Sequence, residues 1–344
     1  VNYRALYVLS RSALDLSRAL GRELGADVFA PSRFAESGMT GFDSLPEQVG
    51  RNFTRYSGHV FIAAAGIAVR AIAPHLRSKG VDPAVVAMDP QGANVISLLS
   101  GHLGGANELA RQCAAITGGR AIITTATDCA GVPSLDMLAQ ERGLHIGDPD
   151  AIKDVNAALL EGRTVQVFDP LGCLGPLDPE AFVLLDTPDL WREGEPGVRV
   201  HWTVSPKRPG LVRLYAPVLC VGMGCRRGTP VSEIREFVER VLTENGLAVE
   251  SVAAAGTADI KKDEAGLLLA AQELGLPLTF FDADTLKTVD APNPSAMVES
   301  HVGTPGVSEA AALLLCERGE LLVAKQKTSR VTVAVAGRTK CSQP

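Results

Sequence analysis

Arg4-Ala-Leu-Tyr-Val-Leu-Ser-Arg-Ser-Ala-Leu-Asp-Leu-Ser-Arg-Ala-Leu-Gly-Arg-Glu-Leu-Gly-Ala-Asp-Val-Phe-Ala30 decides the fold class. Residues 4–10 read as a buried strand. Leu14, Leu16, Leu20 and Leu24 then recur at helical spacing, and Asp27–Ala30 reads as the next strand. Strand, helix, strand in that order is the signature of an α/β layer. A second unit of the same kind opens with His59-Val-Phe-Ile-Ala-Ala-Ala65 and Gly66, followed by a helix through about Leu76. Ala84–Met88 and Asn94–Leu99 flank Asp89-Pro-Gln-Gly92, where Pro and Gly favour a type I turn. This hairpin predicts a mixed sheet. A helix to Thr117, stopped by Gly118-Gly119, and a short strand at 121–123 complete the N-terminal part.

Signals weaken over 140–215, where a helix near 150–161 and a strand at 164–168 precede a Pro- and Gly-rich stretch. Ser205-Pro-Lys-Arg-Pro-Gly210 reads as a linker or hairpin tip. A fresh α/β unit begins at Val218. It has helices over 231–246, 263–274 and from 305, and strands at 218–222, 249–254, 321–324 and 331–336. The expected organisation is an N-terminal α/β domain with a mixed sheet (1–139), a loop-rich middle region and linker (140–215), and a separate C-terminal α/β domain (216–344).

Composition narrows the function classes. The net charge is −6, and no long basic stripe suggests nucleic acid. No apolar run reaches the roughly 18–20 residues of a membrane span. The opening residues lack the charged-then-apolar pattern of a secretory leader. The seven cysteines form no Cys-x-x-Cys pair and sit mostly in apolar segments. They read as reduced, partly buried thiols of a cytoplasmic protein.

Ser100-Gly-His-Leu-Gly-Gly-Ala-Asn-Glu-Leu-Ala110 is the first candidate site. A helix starting near Gly104 puts Ala106, Leu109, Ala110, Cys113 and Ala114 on one apolar stripe. Asn107, Glu108 and Arg111 are then left on the polar side. Free N–H groups at a helix start suit anions, and Gly101, Gly104 and Gly105 allow close approach to the backbone. The same pattern also describes a turn that only packs. His102 is either an acid–base group, since histidine exchanges protons near neutral pH, or a residue that holds the turn. Ligands in open α/β sheets bind outside the carboxyl ends of strands. The loops carrying Gly66 and Arg70, and Thr125 and Asp128, are therefore expected to converge with Ser100–Glu108. The plainer roles are a surface ion pair for Arg70 and helix capping for 124–128.

In the C-terminal half, Gly222-Met-Gly-Cys-Arg-Arg-Gly-Thr229 follows a strand and precedes a helix. Arg226 and Arg227, beside Gly224, suit carboxylate forks, or face solvent from a tight turn. The Gly-Lys-Ser/Thr ending of a P-loop is missing, and so is a complete dinucleotide fingerprint. Lys261-Lys-Asp-Glu264, and Ser295 and Thr304 in turn-rich sequence, are weaker candidates.

Three blocks resemble the N-terminal domain of the CbiG family, the cobalt-precorrin-5A hydrolases of anaerobic cobalamin biosynthesis. They are Phe61-Ile-Ala-Ala-Ala-Gly-Ile-Ala-Val-Arg-Ala-Ile-Ala-Pro74, Asp82-Pro-Ala-Val-Val86 and Ile96-Ser-Leu-Leu-Ser-Gly-His-Leu-Gly-Gly-Ala-Asn-Glu-Leu-Ala110. Gly222–Thr229, Lys262–Glu264, Pro294-Ser295 and Gly303-Thr304 are similar to that family's C-terminal domain. The resemblance implies a cobalt-corrinoid substrate whose ring A δ-lactone is opened by water, with release of acetaldehyde to give cobalt-precorrin-5B. It implies no cofactor beyond the cobalt carried by the substrate, and no metal site. The implied partners are the substrate, neighbouring pathway enzymes and a second copy of the chain.

Set against that chemistry, His102 or Glu108 is the expected base, with N–H groups near Gly104-Gly105 as the oxyanion site. Arg70, Arg226, Arg227 and Lys261 are expected on the substrate's carboxylates, with Gly66, Ser100, Gly101, Asn107, Thr125, Asp128, Gly224, Glu264, Ser295 and Thr304 lining the site. Two competing readings stay open: a non-catalytic corrinoid carrier, and an unrelated nucleotide-binding α/β enzyme.

Overall fold

The computed structural model describes residues 3–78, 80–289, 292, 306–317 and 319–341. The chain divides into two compact units, Val1–Met137 and Leu138–Pro344.

The first unit is built on a seven-stranded sheet, whose strands are β1 (Arg4–Val8), β2 (Ala26–Pro31), β3 (Met39–Phe42), β4 (Gly58–Ile62), β5 (Ala84–Met88), β6 (Asn94–Leu99) and β7 (Arg120–Ile122). Their order across the sheet is β3-β2-β1-β4-β5-β6-β7. Neighbours run parallel except β5 and β6, which form the expected antiparallel hairpin. Asp89 closes that hairpin by accepting from the amides of Gln91, Ala93 and Asn94. The sheet is covered on both faces, so the central strands are apolar apart from Arg4 at the start of β1 and His59 in β4. Leu6, Val8, Val60, Ile62, Val86 and Met88 share a core with the helices Leu14–Leu24 and Ala106–Thr117. The alternate residues Ala5, Tyr7, Phe61, Val85 and Ala87 pack with Val49 of Leu45–Asn52 and Ala68, Ala71 and Ile72 of Ala65–Ile72. Within that second core His59 is fully buried between Tyr7 and the Phe53 carbonyl, and burial pushes its pKa down to about 4.

The second unit contains two sheets. Residues 140–215 are more ordered than their sequence signals indicate. They form β8 (His145–Ile146), β9 (Val165–Phe168), β10 (Phe182–Leu184), β11 (Gly197–Val200) and β12 (Leu211–Tyr215), ordered β10-β9-β11-β12-β8. Ser205–Gly210 is not a hairpin tip, because β11 and β12 run parallel. Their connection instead reaches the next layer, where Thr203 bridges Leu247 and Trp202 packs against the last core. The buried Arg213 and Asp148 tie β12 to the segment after β8, with nitrogen–oxygen distances of 2.6 and 2.8 Å.

The final sheet holds β13 (Leu219–Cys225), β14 (Val252–Ala258), β15 (Leu278–Phe281), β16 (Glu320–Lys327) and β17 (Val331–Gly337), ordered β15-β14-β13-β17-β16. The first three are parallel, and β16 and β17 are added antiparallel. The α/β class and mixed sheets agree with the sequence reading. One cysteine assignment does not. Cys173 and Cys341 form a disulfide, with Cα atoms 5.0 Å apart. The Cys341 amide bonds the Leu171 carbonyl, which brings two thiols remote in sequence together.

Candidate active site

β6 ends at Leu99, and the next residue turns sharply. Ser100 adopts a left-handed φ of 57°, and its hydroxyl is enclosed without a hydrogen-bond partner. A non-glycine residue held this way is strained, and such strain gathers at functional sites. Gly104 then folds back so closely that a Cβ there would overlap the Ser100 side chain. Gly105, at φ 83°, leads into the helix Ala106–Thr117. The turn uses the helix start itself. The amides of Gly105, Ala106 and Asn107 donate to the carbonyls of His102, Ser100 and Gly101 at 2.7, 3.0 and 3.0 Å. Gly105 therefore does not serve the expected oxyanion role, because its N–H is engaged within the turn.

The turn aims His102 at the loop after β7. Nε2 lies 3.1 Å from Asp128 Oδ2 and 3.1 Å from Thr127 Oγ1. Nδ1 lies 3.2 Å from Asp136 Oδ2 and 3.3 Å from Ser134 Oγ. Ser134 in turn bonds the other oxygen of Asp136. The imidazole is thus bracketed by two carboxylates, each accompanied by a hydroxyl. Ser134, Asp136 and Thr127 are buried, while His102 keeps 19% of its side chain exposed.

Asp128 gathers the remaining polar groups. Its Oδ2 accepts from Thr125 Oγ1 at 2.6 Å and Asn107 Nδ2 at 2.9 Å, and its Oδ1 accepts from Arg111 at 2.5 Å. Burial opposes its ionisation, but hydrogen bonds from Thr125, Arg111 and His102 outweigh burial and hold its carboxyl below the usual range. Asn107 was expected on the polar side of the helix. It is instead buried, because Ser97, Thr125 and Asp128 satisfy its amide. Glu108 faces solvent, where it pairs with Gln112 and Arg111, so it is not part of the His102 cluster.

The expected convergence holds for one loop and fails for the other. β7 is parallel to β6, so Thr125 and Asp128 leave the sheet at the same edge as His102. β6 is antiparallel to β5, with Leu99 opposite Val85 and Val95 opposite Met88. The loop after β4, with Gly66 and Arg70, therefore emerges at the other edge, roughly 15 Å away along five residues of strand. Both residues are exposed there. Asp136, Ser134 and Thr127 were missed by the sequence reading. The signal that marks them is a run of hydroxyls and carboxylates, Thr124–Asp128 leading into the helix Ala126–Ala130 and Ser134–Asp136 opening the helix Leu135–Glu141.

In the second unit, the loops after the parallel β13 and β14 leave one edge, as open-sheet geometry requires. Arg226 and Arg227 are exposed, Lys261 is half-buried, and Arg227 meets Asp263 at 3.3 Å. Glu264 is buried and accepts the Gly228 amide at 2.9 Å, so it holds the arginine turn in place. Gly224 lies against Thr332 of β17. Ser295 and Thr304 lie outside the described residues. Among the described residues no group of three or more His, Cys, Asp or Glu is arranged for a metal ion, and no helix is long and apolar enough to cross a membrane.

Three segments of the chain match described families: residues 47–128 the cobalamin synthesis G N-terminal family, 133–232 the cobalamin biosynthesis central region, and 219–336 the cobalamin synthesis G C-terminus. The cobalt-precorrin-5A hydrolase of Priestia megaterium is 32% identical over 351 residues, covering 96% of this chain and 94% of its own. That of Salmonella typhimurium is 34% identical over 349 residues, covering 96% of both. Protein CobE of Sinorhizobium is 36% identical over 122 residues, covering 35% of this chain and 79% of its own.

Proposed function

Because the chain belongs to the CbiG family of cobalt-precorrin-5A hydrolases, we propose that it hydrolyses cobalt-precorrin-5A, with His102 as the proton-transfer group. Water adds to the carbonyl of the ring A δ-lactone and the acyl C–O bond breaks. This frees the acetate carboxylate and a hydroxyl on the extruded carbon. Removal of the hydroxyl proton lets the bond from that carbon to the macrocycle break. The electron pair enters the conjugated ring, and acetaldehyde leaves. Both stages need a base at the reacting oxygen.

The observation that supports this reading is the bracketed imidazole, with carboxylates at 3.1 and 3.2 Å on its two nitrogens. A buried carboxylate behind a partly exposed imidazole is the arrangement that orients a histidine base. Arg226, Arg227 and Lys261 are retained in the proposal as partners for the substrate's peripheral carboxylates, which suits an acidic chain that binds a polyanion; Arg70, at the opposite edge of its sheet from His102, is not. The proposal carries with it a cytoplasmic setting, beside the enzymes that form and consume these intermediates.

The test is acetaldehyde release from cobalt-precorrin-5A, followed over many turnovers. Catalytic release with formation of cobalt-precorrin-5B is expected. Stoichiometric corrinoid binding with no acetaldehyde would identify a carrier instead.

A further inference from the structure

Two of His102's neighbours, Asp128 and Asp136, look equivalent in the bracket but are held differently. Asp128 has its charge met independently of His102, by Arg111, Thr125 and Asn107. Asp136 is the more buried, with a side-chain exposure of 9% against 21%, and is steadied by the adjacent Ser134 hydroxyl. The two ring nitrogens also differ. At Nδ1 the Ser134 proton is directed to Asp136, so both neighbours there present acceptors to the ring. At Nε2 one neighbour, Thr127, has a proton to give, and the other, Asp128, has only lone pairs.

We propose that Asp136 is the positioning residue of the site, holding the His102 proton on Nδ1 so that Nε2 is the atom that takes up and returns the proton of the reaction. Nε2 then has a partner in each state. Unprotonated, it accepts from the Thr127 hydroxyl. Protonated, it donates to Asp128, whose charge is already secured by Arg111. The proton that His102 removes from water or from the released hydroxyl thus stays on Nε2 until it is returned, while Asp136 keeps its hold on Nδ1. The inference rests on the reading of His102 as the base, but its structural half can be tested without turnover.

The test uses the full chain labelled with 15N in its histidines, with the His102 signals identified by their loss in His102→Ala. In the neutral ring the wild type is expected to carry its proton on Nδ1. In Asp136→Asn the side-chain amide donates to Nδ1 and the proton moves to Nε2. Acetaldehyde release by that variant should then fall about 10³–10⁴-fold in kcat with KM nearly unchanged, as when an imposed wrong tautomer disables a histidine base. Ser134→Ala, which leaves the carboxylate in place, should lose only about tenfold and keep the wild-type tautomer. A wild-type neutral ring with its proton on Nε2 overturns the proposal, and so does Asp136→Asn at the wild-type rate. If Asp136→Asn does not fold, the wild-type tautomer and Ser134→Ala still decide. A chain that releases no acetaldehyde refutes the proposed function and leaves the tautomer measurement standing.

Discussion

Two glycine-rich turns in this chain have nearly the same sequence logic and opposite construction. Ser100–Gly105 follows β6, whereas the first four residues of Gly222–Thr229 belong to β13 and only Arg226–Thr229 form its turn; both segments precede a helix and carry polar residues. In the first, the glycines let the chain close on itself, and the polar side chains are spent on one another around His102. In the second, Glu264 holds the turn from beneath while Arg226 and Arg227 project into solvent. A proton-transfer group needs fixed neighbours and partial exclusion of water. A charge-binding group needs reach. On the proposed reading, the first turn suits the former and the second the latter.

The sharpest way to break that contrast is to compare His102→Ala with the double variant Arg226→Ala/Arg227→Ala. The first should lower kcat for acetaldehyde release about 10²–10⁴-fold, the usual worth of general acid–base catalysis. The second should raise KM and leave kcat within a few-fold, the signature of lost uniform binding. Steady-state kinetics on cobalt-precorrin-5A separates them, and the reverse assignment would exchange the roles of the two turns.

Asp128→Asn probes the closed turn through stability. Removing the charge that meets Arg111 should cost roughly 1.5–3 kcal/mol at neutral pH, the worth of hydrogen bonds to a charged group. The folded pKa of Asp128 is lowered, so its contribution is complete above the ordinary carboxylate pKa of about 3.9 and is lost as pH falls through the folded value. Urea unfolding should therefore show a gap between wild type and variant at neutral pH that shrinks below about pH 4. A gap that persists at pH 2 would mean that the loss is steric.

How much of this contrast the sequence makes legible depends on the range of the interactions. Central strands such as Gly58–Ile62 are read correctly because both faces are buried and every residue but His59 is apolar. The short β8 and β10 escape, since two or three residues between turn formers carry no periodicity. In the site, His102, Asn107, Thr125 and Asp128 are legible from local turn chemistry. Asp136 is not, because its link to His102 spans 34 residues and depends on β7 running parallel to β6. Arg70 was grouped with them for the converse reason. The hairpin that reverses β6 was read correctly, but its consequence, that the loop after β4 leaves by the opposite edge, lies in the sheet order rather than in any segment.

Glycine substitutions sharpen the difference in construction at smaller cost. A Cβ at Gly104 would drive into Ser100, so Gly104→Ala should destabilise the chain by about 1–3 kcal/mol, as overpacking does. It should also depress kcat, because the turn positions His102. Gly228 sits at φ 69° with open space where a Cβ would point. Gly228→Ala should cost only the left-handed backbone penalty, roughly 1–2 kcal/mol, with kcat retained. Thermal melts and kinetics on the two variants should part in activity even where their stabilities are close.

The smallest effect separates neighbours within the open turn. Asp263 and Glu264 are adjacent carboxylates on one loop, but Asp263 meets Arg227 across solvent, with both side chains about two-thirds exposed. Exposed pairs of this kind contribute about 0–1 kcal/mol and weaken with salt. Asp263→Asn should therefore leave stability almost unchanged. It should lower KM slightly if anything, because Arg227 is released to a substrate carboxylate. Glu264 is buried under the turn, and Glu264→Ala strands the Gly228 amide, so it should cost roughly 1–3 kcal/mol. If Asp263→Asn were instead the more damaging change, Arg227 would be a structural residue pinned by its ion pair. The open turn would then be as closed as the one around His102.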